Sequence, residues 1–483
     1  MKKLMGLLTV LCLALEICII AHGEELAEDI TAKCTITADG KTDNRLTDNS
    51  IYTYINIEEL NISCDTPMHG LYIEFDRECA PWTMIADGTE STEGEDGFLH
   101  QYVPLNGVKE ITINFEKGTA VADLFVFGQG VLPDFVQRWE YADSADIMIC
   151  PTHSDDDQLY FAGMIPWCVA NGYNVQIVYL TNHLNTHDRP HELLNGLWHC
   201  GVKYYPHIPE FPDMYSESFE QAKQVYVGLG YEYDGFVEYY KELLQKYKPL
   251  VVAGHDANGE YGHGMHMLSF HALTEAIELS AEEGLWDVPK TYIHLWAENA
   301  VTFNWDEPLE FFEGKTAFNV SQEGFAFHLS QHRFTGLTSW LYGTDAAPIT
   351  QAAQIRGLSP CRFGLYRSTV GIDSTVNGLF ENLEEYIVES SEESTVTSES
   401  TEEDISCISE STEDESSADS ESADTAEITE EESEDEGKTS LQASPAATKQ
   451  KESKTDMLPI FLLGGAGLCI LLYVLKNIFS KEQ

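Results

Sequence analysis

Hydrophobic and polar residues alternate one by one along the first part of this 483-residue chain. The alternating runs are short and lie at 52–57, 71–75, 111–115 and 122–127. A period of two, with Gly and Asp between the runs, predicts strands, and the spacing of the runs predicts a small β-sandwich domain over 24–132. Trp82 in this domain is either a surface on which a glycan stacks or a residue of the core.

The pattern changes after Pro133, where strand-like runs begin to alternate with longer helical stretches. The strand-like runs cover 146–150, 175–180, 249–253 and 291–296, and the helical stretches cover 158–170, 192–199, 236–246 and 265–281. This alternation predicts an α/β domain over 140–385, with a Rossmann-like, mostly parallel sheet and helices on both faces. In open sheets of this kind, ligands bind at the carboxyl ends of the strands.

The N-terminus carries a long apolar segment. Lys2 and Lys3 precede an apolar stretch over 4–20, and small or polar residues follow at 21–23. This order of positive, apolar and small residues predicts a secretory signal peptide over 1–23 that is removed from the mature protein. An uncleaved membrane anchor is the alternative.

The C-terminus carries a second apolar segment. Residues 457–475 contain no charge and are long enough to span a bilayer. Lys476 and Lys481 follow, which predicts a cytoplasmic tail over 476–483 and places the preceding domains outside the cell. The alternative for 457–475 is a helix buried in a core. Between 389 and 436 there are 21 acidic and no basic residues, so 386–456 is predicted to be a disordered acidic tether.

Charge and cysteine content exclude several classes of function. With 81 acidic and 27 basic residues, the formal net charge is −54, so nucleic acid is not an expected partner. The chain has no CxxC pair, which excludes the usual thiolate zinc cluster, and disulfide pairing stays open. Motifs typical of nucleotide-binding loops, serine hydrolases and HExxH proteases are also absent.

Two histidine-containing motifs follow two of the predicted strands. His153 and Asp156 come directly after the strand at 146–150, and His263 and His266 come after the strand at 249–253. Residues three apart share one face of a helical turn, so each pair can converge on one point. Two His and one Asp fill three positions around zinc and leave the fourth for water, as in hydrolytic zinc sites.

Each motif alone also has a plain structural explanation. Asp155, Asp156 and Asp157 are typical of a solvated turn or a helix N-cap, and the HxxH spacing arises by chance among 16 histidines. Their joint placement after two strands favours a metal site, for zinc or another divalent ion. If Asp156 binds the metal, Asp155 is the carboxylate best placed to accept a proton.

Three segments together resemble one known family, the PIG-L/LmbE-like deacetylases. Residues 151–157 resemble the family's His-Pro-Asp-Asp-Glu signature, 255–266 resemble its HxxH motif, and 189–192 resemble its Arg-x-x-Glu segment. The resemblance covers roughly 145–335. Ser154 stands where the family has proline, and Asp157 stands where it has glutamate.

The resemblance implies a zinc-dependent N-deacetylase that acts on an N-acetylglucosamine-type sugar or glycan. It implies His153, Asp156 and His266 as zinc ligands, Asp155 as the general base, and His263 as the group that stabilises the oxyanion. In this interpretation a protonated His263 donates the hydrogen bond.

Three more residues have open roles at this stage. Arg189 either binds the substrate or forms an ion pair with Glu192, three residues further along. His255 and Asp256 are predicted to surround the ligands and orient a metal-binding histidine.

The whole chain is therefore predicted to be a bacterial cell-surface enzyme, held in the cell membrane by one C-terminal helix, with its catalytic domain extracellular. Three alternatives stay open. The first is an enzyme of the same fold that cleaves a different amide. The second is a catalytically inactive glycan-binding protein, and the third is a surface protein in which the metal only stabilises the fold.

Overall fold

The structure, a computed structural model, describes residues 25–184, 186–384 and 386. Its first part is built from five strands: β1 (Thr35–Ala38), β2 (Ile55–Phe75), β3 (Trp82–Ala86), β4 (Thr89–Glu93) and β5 (His100–Phe127). They form one sheet in the order β1-β2-β5-β3-β4. The predicted β-strands are present, but the two separate sheets of a sandwich are not distinguished among the described strands, so the sandwich stays a prediction.

The long strands β2 and β5 pair with each other in several segments. Leu71 of β2 pairs with both Val103 and Val126 of β5, so β5 passes β2 on two sides. The alternating apolar residues of both strands join one buried cluster, which also contains Trp82. Trp82 is 2% exposed and donates its indole N–H to Gln101, so it is a core residue and not a surface for a glycan.

The second part is mixed α/β, as the alternation of strand-like and helical runs predicts. Its six strands lie in the order β10-β13-β9-β8-β6-β7. They are β6 (Ile147–Ile149), β7 (Val175–Ile177), β8 (Val251–Gly254), β9 (Lys290–His294), β10 (Ala300–Thr302) and β13 (Arg362–Ser368). Strands β6 to β9 are mutually parallel. Strand β13 pairs antiparallel with β9, and β10 pairs antiparallel with β13. A short pair, β11 (Gly343–Thr344) and β12 (Ala347–Pro348), lies outside this sheet.

Eight α-helices accompany these strands in the described residues. They are α1 (Asp156–Leu159), α2 (Met164–Ala170), α3 (Asp188–His199), α4 (Phe219–Gly228), α5 (Tyr233–Tyr247), α6 (Gly264–Glu282), α7 (Ala317–Phe325) and α8 (Thr335–Tyr342).

Both faces of the sheet are covered. Ile147 and Ile149 of β6 enter one buried cluster, while Met148 of β6 and Cys150 directly after it enter another. Successive strand residues point to opposite faces, so the two clusters are the two sides of one sheet. The first cluster includes Leu197 of α3 and the second includes helices α5 and α6. The prediction of a helix-covered sheet therefore agrees with the described packing.

The predicted helix over 158–170 is wrong, because the chain breaks there into α1 and α2. Pro166 has no amide hydrogen, and it is tolerated in the first turn of a helix but not in its interior. Gly163 is the N-cap of α2 and has φ of 88°, a left-handed conformation that separates α2 from the turn after α1. Helix α1 is therefore a single turn that begins at Asp156.

The first part packs directly against the second. Phe98 stacks on Tyr205 with ring centroids 4.6 Å apart, and the Leu99 amide donates to the Tyr205 hydroxyl. His100 and His191 of α3 share a hydrogen bond of 2.7 Å between ring nitrogens. Because α3 also carries Arg189, the first part supports one wall of the candidate site.

Several predicted segments lie outside the described residues. They are the signal peptide over 1–23, nearly all of the tether over 386–456, the membrane helix over 457–475 and the tail over 476–483. Among the residues that are described, no helix combines the length and apolar character needed to cross a membrane. The membrane anchor and the domain boundaries therefore stay predictions.

The break before α2 generates a test of stability. A Cβ added at Gly163 would overlap the Trp305 side chain, whereas Gly172, also with positive φ, has open space around it. Both Gly→Ala changes impose backbone strain, but only Gly163→Ala adds a clash in the core. We expect Gly163→Ala to lower the free energy of unfolding by about 2 kcal/mol more than Gly172→Ala in a denaturant titration. Equal losses would contradict the packing described for Gly163.

Candidate metal centre and active site

The candidate site lies where the parallel strands β6 and β8 end. His153 and Asp155 lie in the turn between β6 and α1, and Asp156 is the first residue of α1. His263 caps α6, and His266 lies in its first turn. Since neighbouring parallel strands end at the same edge of the sheet, the two motifs come together as the sequence analysis expects.

Three predicted ligands converge on one point. Nδ1 of His153 lies 3.0 Å from Oδ2 of Asp156, and Nε2 of His266 lies 3.2 Å from the same oxygen. The two nitrogens are 3.0 Å apart. Around a tetrahedral zinc with bonds of about 2.0–2.1 Å, ligand atoms lie about 3.3 Å apart, so this triangle has the size that a small divalent cation requires. The donor set of two imidazoles and one carboxylate suits zinc and other divalent ions.

The electrostatics of Asp156 fit such a role. Burial by itself raises the pKa of a carboxyl, but His266 and His153 hold the pKa of Asp156 well below its usual range. The backbone amide of His153 also donates to Oδ2 of Asp156 at 2.8 Å. Asp156 is therefore a fixed, ionised carboxylate at the centre of the cluster.

Two neighbouring histidines extend the cluster. Ligand atoms of His153, His263 and His266 lie within 4.8 Å of one another, and so do those of Asp156, His255 and His266. Nε2 of His255 already accepts the Thr152 amide hydrogen at 2.9 Å, so its lone pair is engaged. The ring of His263 lies beside those of His153 and His266, with centroids 4.8 and 4.7 Å away.

His263 differs from the expectation of a protonated ring. Its Nδ1 accepts the Met265 amide hydrogen at 3.2 Å, which requires that Nδ1 carry no proton. Burial, together with His153 and His266, lowers the pKa of His263 to about 3. The ring is therefore neutral and carries its proton on Nε2, which remains a hydrogen-bond donor without a positive charge.

Arg189 forms an ion pair with Asp155 and not with Glu192. Its Nη2 is 2.8 Å from Oδ1 of Asp155, whereas Glu192 accepts two hydrogen bonds from Ser330. The alternative of an ion pair between Arg189 and Glu192 is thus wrong. Burial raises the pKa of Asp155, against the attraction of Arg189. Within the described residues the Asp155 carboxylate accepts no second hydrogen bond, so its Oδ2 is free.

Glu260 is a functional residue to which the sequence analysis assigns no role. This fully buried carboxylate lies 2.8 Å from Nδ1 of His255, 2.7 Å from Nδ1 of His266 and 2.6 Å from Nδ1 of His294. The contact with His266 is close but poorly aligned for a hydrogen bond. A carboxylate behind the ring favours a proton on Nδ1 and leaves Nε2 free to face a metal.

His255 and Asp256, both expected to orient a metal-binding histidine, make different contacts in the structure. His255 lies against Asp156 and Glu260, as a residue surrounding the ligands should. The carboxylate of Asp256 accepts instead from the Asn258 amide in a local turn. Asp256 therefore orients no metal-binding histidine through its side chain.

Asp213 is a second residue that the sequence analysis misses. Its carboxylate lies 3.3 Å from Nε2 of His153 and 3.5 Å from Nδ1 of His183. The segment reaches the site because the Asp213 amide donates to the carbonyl of Asn182, beyond β7. No motif marks Asp213, and only the pairing of its loop brings it to His153.

A cavity of about 690 Å³ opens from these residues. His153, Asp155, Arg189, Asp213 and His263 line it, together with residues of α8 and its flanking loops. A ligand in this cavity would therefore meet imidazoles and carboxylates. The cluster is therefore accessible to a ligand and is not enclosed in the protein core.

Comparisons with known proteins agree with the resemblance predicted from the motifs. The chain is 48% identical over 56 residues to 1D-myo-inositol 2-acetamido-2-deoxy-alpha-D-glucopyranoside deacetylase of Nocardia farcinica, a stretch of 12% of this chain and 18% of that protein. The chain thus matches less than a fifth of that relative's length. This match confirms the resemblance to the PIG-L/LmbE-like deacetylases. No protein-family model matches the chain.

Solved structures give distant likenesses. One is N,N'-diacetylchitobiose deacetylase from Pyrococcus horikoshii, with 16% identity, a TM-score of 0.30, and coverage of 41% of this chain and 76% of that chain. Another is a conserved protein from Thermus thermophilus, with 14% identity, a TM-score of 0.30, and coverage of 48% of this chain and 97% of that chain.

The contacts of Glu260 generate a second test. Glu260→Gln removes the anion shared by three buried imidazoles, and breaking a buried charged pair costs about 3–5 kcal/mol. We expect the free energy of unfolding of the metal-free protein to fall by about 3 kcal/mol in chemical denaturation. Glu282→Gln, at an exposed position of α6, is the matched control and should change it by less than about 0.5 kcal/mol. The account of Glu260 fails if both variants behave alike.

Proposed function

We propose that this protein is a metal-dependent N-deacetylase that removes the acetyl group from an N-acetylglucosamine-type sugar or glycan. One observation carries the proposal. Three donor atoms of His153, Asp156 and His266 lie within 3.0–3.2 Å of one another, and His153 and Asp156 line an open cavity together with Asp155. The motif resemblance and the local match to a deacetylase support the same reaction class.

In the proposed site, His153, Asp156 and His266 would hold the metal, with zinc as the expected ion. A bound zinc ion lowers the pKa of its water toward about 7 and polarises a carbonyl. Asp155 would accept on Oδ2 the proton of the attacking water as that water adds to the acetyl carbonyl, because its Oδ1 is held by Arg189. The same carboxyl would then give the proton to the departing amine.

His263 would assist at the acetyl carbonyl. Its neutral ring presents Nε2–H, since Nδ1 is engaged by the Met265 amide. A donor of this kind stabilises the oxyanion of the tetrahedral intermediate by about 3 kcal/mol. Arg189 would orient Asp155 and contact the substrate from the same side of the cavity.

The roles of Asp155 and His266 generate a direct test. We expect Asp155→Asn to retain metal and to lose about 100- to 10,000-fold in kcat, because only the proton acceptor is removed. His266→Ala should lose both metal and activity. Metal content and acetate release from N-acetylglucosamine derivatives are measured on the same zinc-loaded preparations.

Asp143→Asn, at an exposed position before β6, is the control for the removal of a carboxylate charge and should match the wild type. Full activity of Asp155→Asn would contradict the proposed mechanism. Glycan binding by a metal-loaded wild type that releases no acetate would favour the inactive binding protein instead.

We further propose that the enzyme is held at the outer surface of a cell by the segment 457–475. Its sequence supports this, with an apolar stretch of 19 residues, lysines after it and an acidic tract before it. Mild protease treatment of intact cells should release a folded fragment that ends within the acidic tether, whereas a cytoplasmic protein used as control should remain intact. Protection of the whole chain would contradict the proposed orientation.

A further inference from the structure

Two cysteines face each other across the first two strands of the chain. Strands β1 and β2 are antiparallel, and their register places Thr35 opposite Ser63. One residue further in this register, Cys34 lies opposite Cys64. The backbone of Cys34 is extended, with φ of −89° and ψ of 152°, so the strand geometry continues through this residue. The two cysteines are therefore cross-strand neighbours.

The backbone around the two cysteines fits a bond between them. The amide of Cys34 donates to the carbonyl of Thr31 at 3.0 Å and not to β2. Opposite residues in antiparallel strands have Cα atoms about 4.5 Å apart in pairs without hydrogen bonds and about 5.5 Å apart in hydrogen-bonded pairs. Both separations fall in the range of about 4.4–6.8 Å that disulfides span. A disulfide here therefore requires no rearrangement of the sheet.

The two thiol groups share one environment. Both cysteines are in the thiol form in this structure. Cys64 belongs to the buried cluster of the first part, and Cys34 is half-buried and packs against the same cluster. Burial raises the pKa of Cys34 to about 12, and a hydrogen bond with the Cys64 thiol acts in the same direction. The two sulfur atoms are therefore direct neighbours.

The other described cysteines have different neighbours. The thiol of Cys79 accepts a hydrogen bond from the side-chain amide of Gln101 at 3.7 Å, and the thiol of Cys200 donates to Gln158 at 3.3 Å. Burial raises the pKa of five thiols without a contribution from another cysteine, namely Cys79, Cys150, Cys168, Cys200 and Cys361. Within the described residues, only Cys34 and Cys64 form a matched pair.

We propose that Cys34 and Cys64 are a modification site, which is oxidised to a stabilising disulfide once the protein leaves a reducing cytoplasm. The pairing goes beyond the proposed function, and the compartment rests on the proposed position outside the cell. The bond would close the segment 34–64 and restrict the unfolded chain. This segment carries Tyr54, whose ring centroid lies 5.3 Å from that of His187, directly before α3. The disulfide would thus anchor a loop that packs on the second part.

A small disulfide such as oxidised glutathione is the oxidant of this step. The thiolate of Cys34 attacks one of its sulfur atoms and displaces the other as a thiolate. The thiolate of Cys64 then attacks Sγ of Cys34 and displaces the second thiolate. The two protons lost by the cysteines pass to the two displaced thiolates, so the oxidant is reduced to two thiols. Because the folded, reduced protein contains little Cys34 thiolate at neutral pH, we expect the bond to form during folding.

Peptide mapping tests the pairing directly. The full-length protein is refolded with reduced and oxidised glutathione, alkylated under denaturing conditions and digested with trypsin. Trypsin places Cys34, Cys64 and Cys79 in three separate peptides, 34–41, 46–77 and 78–109. We expect the first two peptides to be joined and the third to be alkylated. Separate alkylated forms of the first two, or a link from either of them to the third, would overturn the proposal.

Thermal unfolding tests the stabilising effect of the bond. We expect the Tm of the oxidised protein to exceed that of the reduced protein by about 5–15 °C, because the bond restricts the unfolded chain. Cys34→Ala should abolish this difference. Cys79→Ser is the matched control and should retain it, since Cys79 packs against the same buried cluster. Equal Tm values for the oxidised and reduced wild type would overturn the stabilising role.

Protein taken from intact cells, with its thiols alkylated before lysis, tests the compartment separately. A joined pair of peptides in this sample supports both the disulfide and the position outside the cell. A bond that forms on refolding but is absent from this sample supports the pairing and contradicts the position. Neither cysteine lines the cavity beside His153, so acetate release tests the proposed reaction independently of either result.

Discussion

The buried carboxylate of Glu260 is the contact on which the geometry of the candidate site depends. It faces His255 beyond β8, His266 on α6 and His294 at the end of β9, so one anion joins two neighbouring strands and a helix. The negative charge of Glu260 beside Nδ1 of His266 favours the tautomer that carries its proton on Nδ1, and this leaves the Nε2 lone pair free for a metal. The orientation of one ligand is thus set by a residue that does not face the metal position.

The same site shows why the break between α1 and α2 matters. A continuous helix after β6 would contain Pro166 in its interior, so the chain instead forms a single turn that begins at Asp156. This turn presents Asp156 to His153 and His266, while Asp155 remains beside Arg189. The two adjacent carboxylates therefore face different partners, which is what a ligand and a proton acceptor require.

Much of this arrangement could be predicted from local patterns. Strands β6 and β8 are short apolar runs, and the motifs after them contain His153, Asp156 and His266, which the structure brings within 3.2 Å. Asp213 could not be predicted, because it reaches His153 through the pairing of its loop beyond β7. The neutral state of His263 depends on the hydrogen bond that its Nδ1 accepts from the Met265 amide, and the spacing of residues in the sequence does not reveal this bond.

The most direct test of the account is a crystal structure of the zinc-loaded protein with anomalous diffraction measured at the zinc edge. The account predicts one ion, about 2.0–2.2 Å from Nδ1 of His153, an oxygen of Asp156 and Nε2 of His266, with a water on the side of Asp155. An ion bound elsewhere, or one whose ligands omit Asp156 and include His263 in its place, would contradict it.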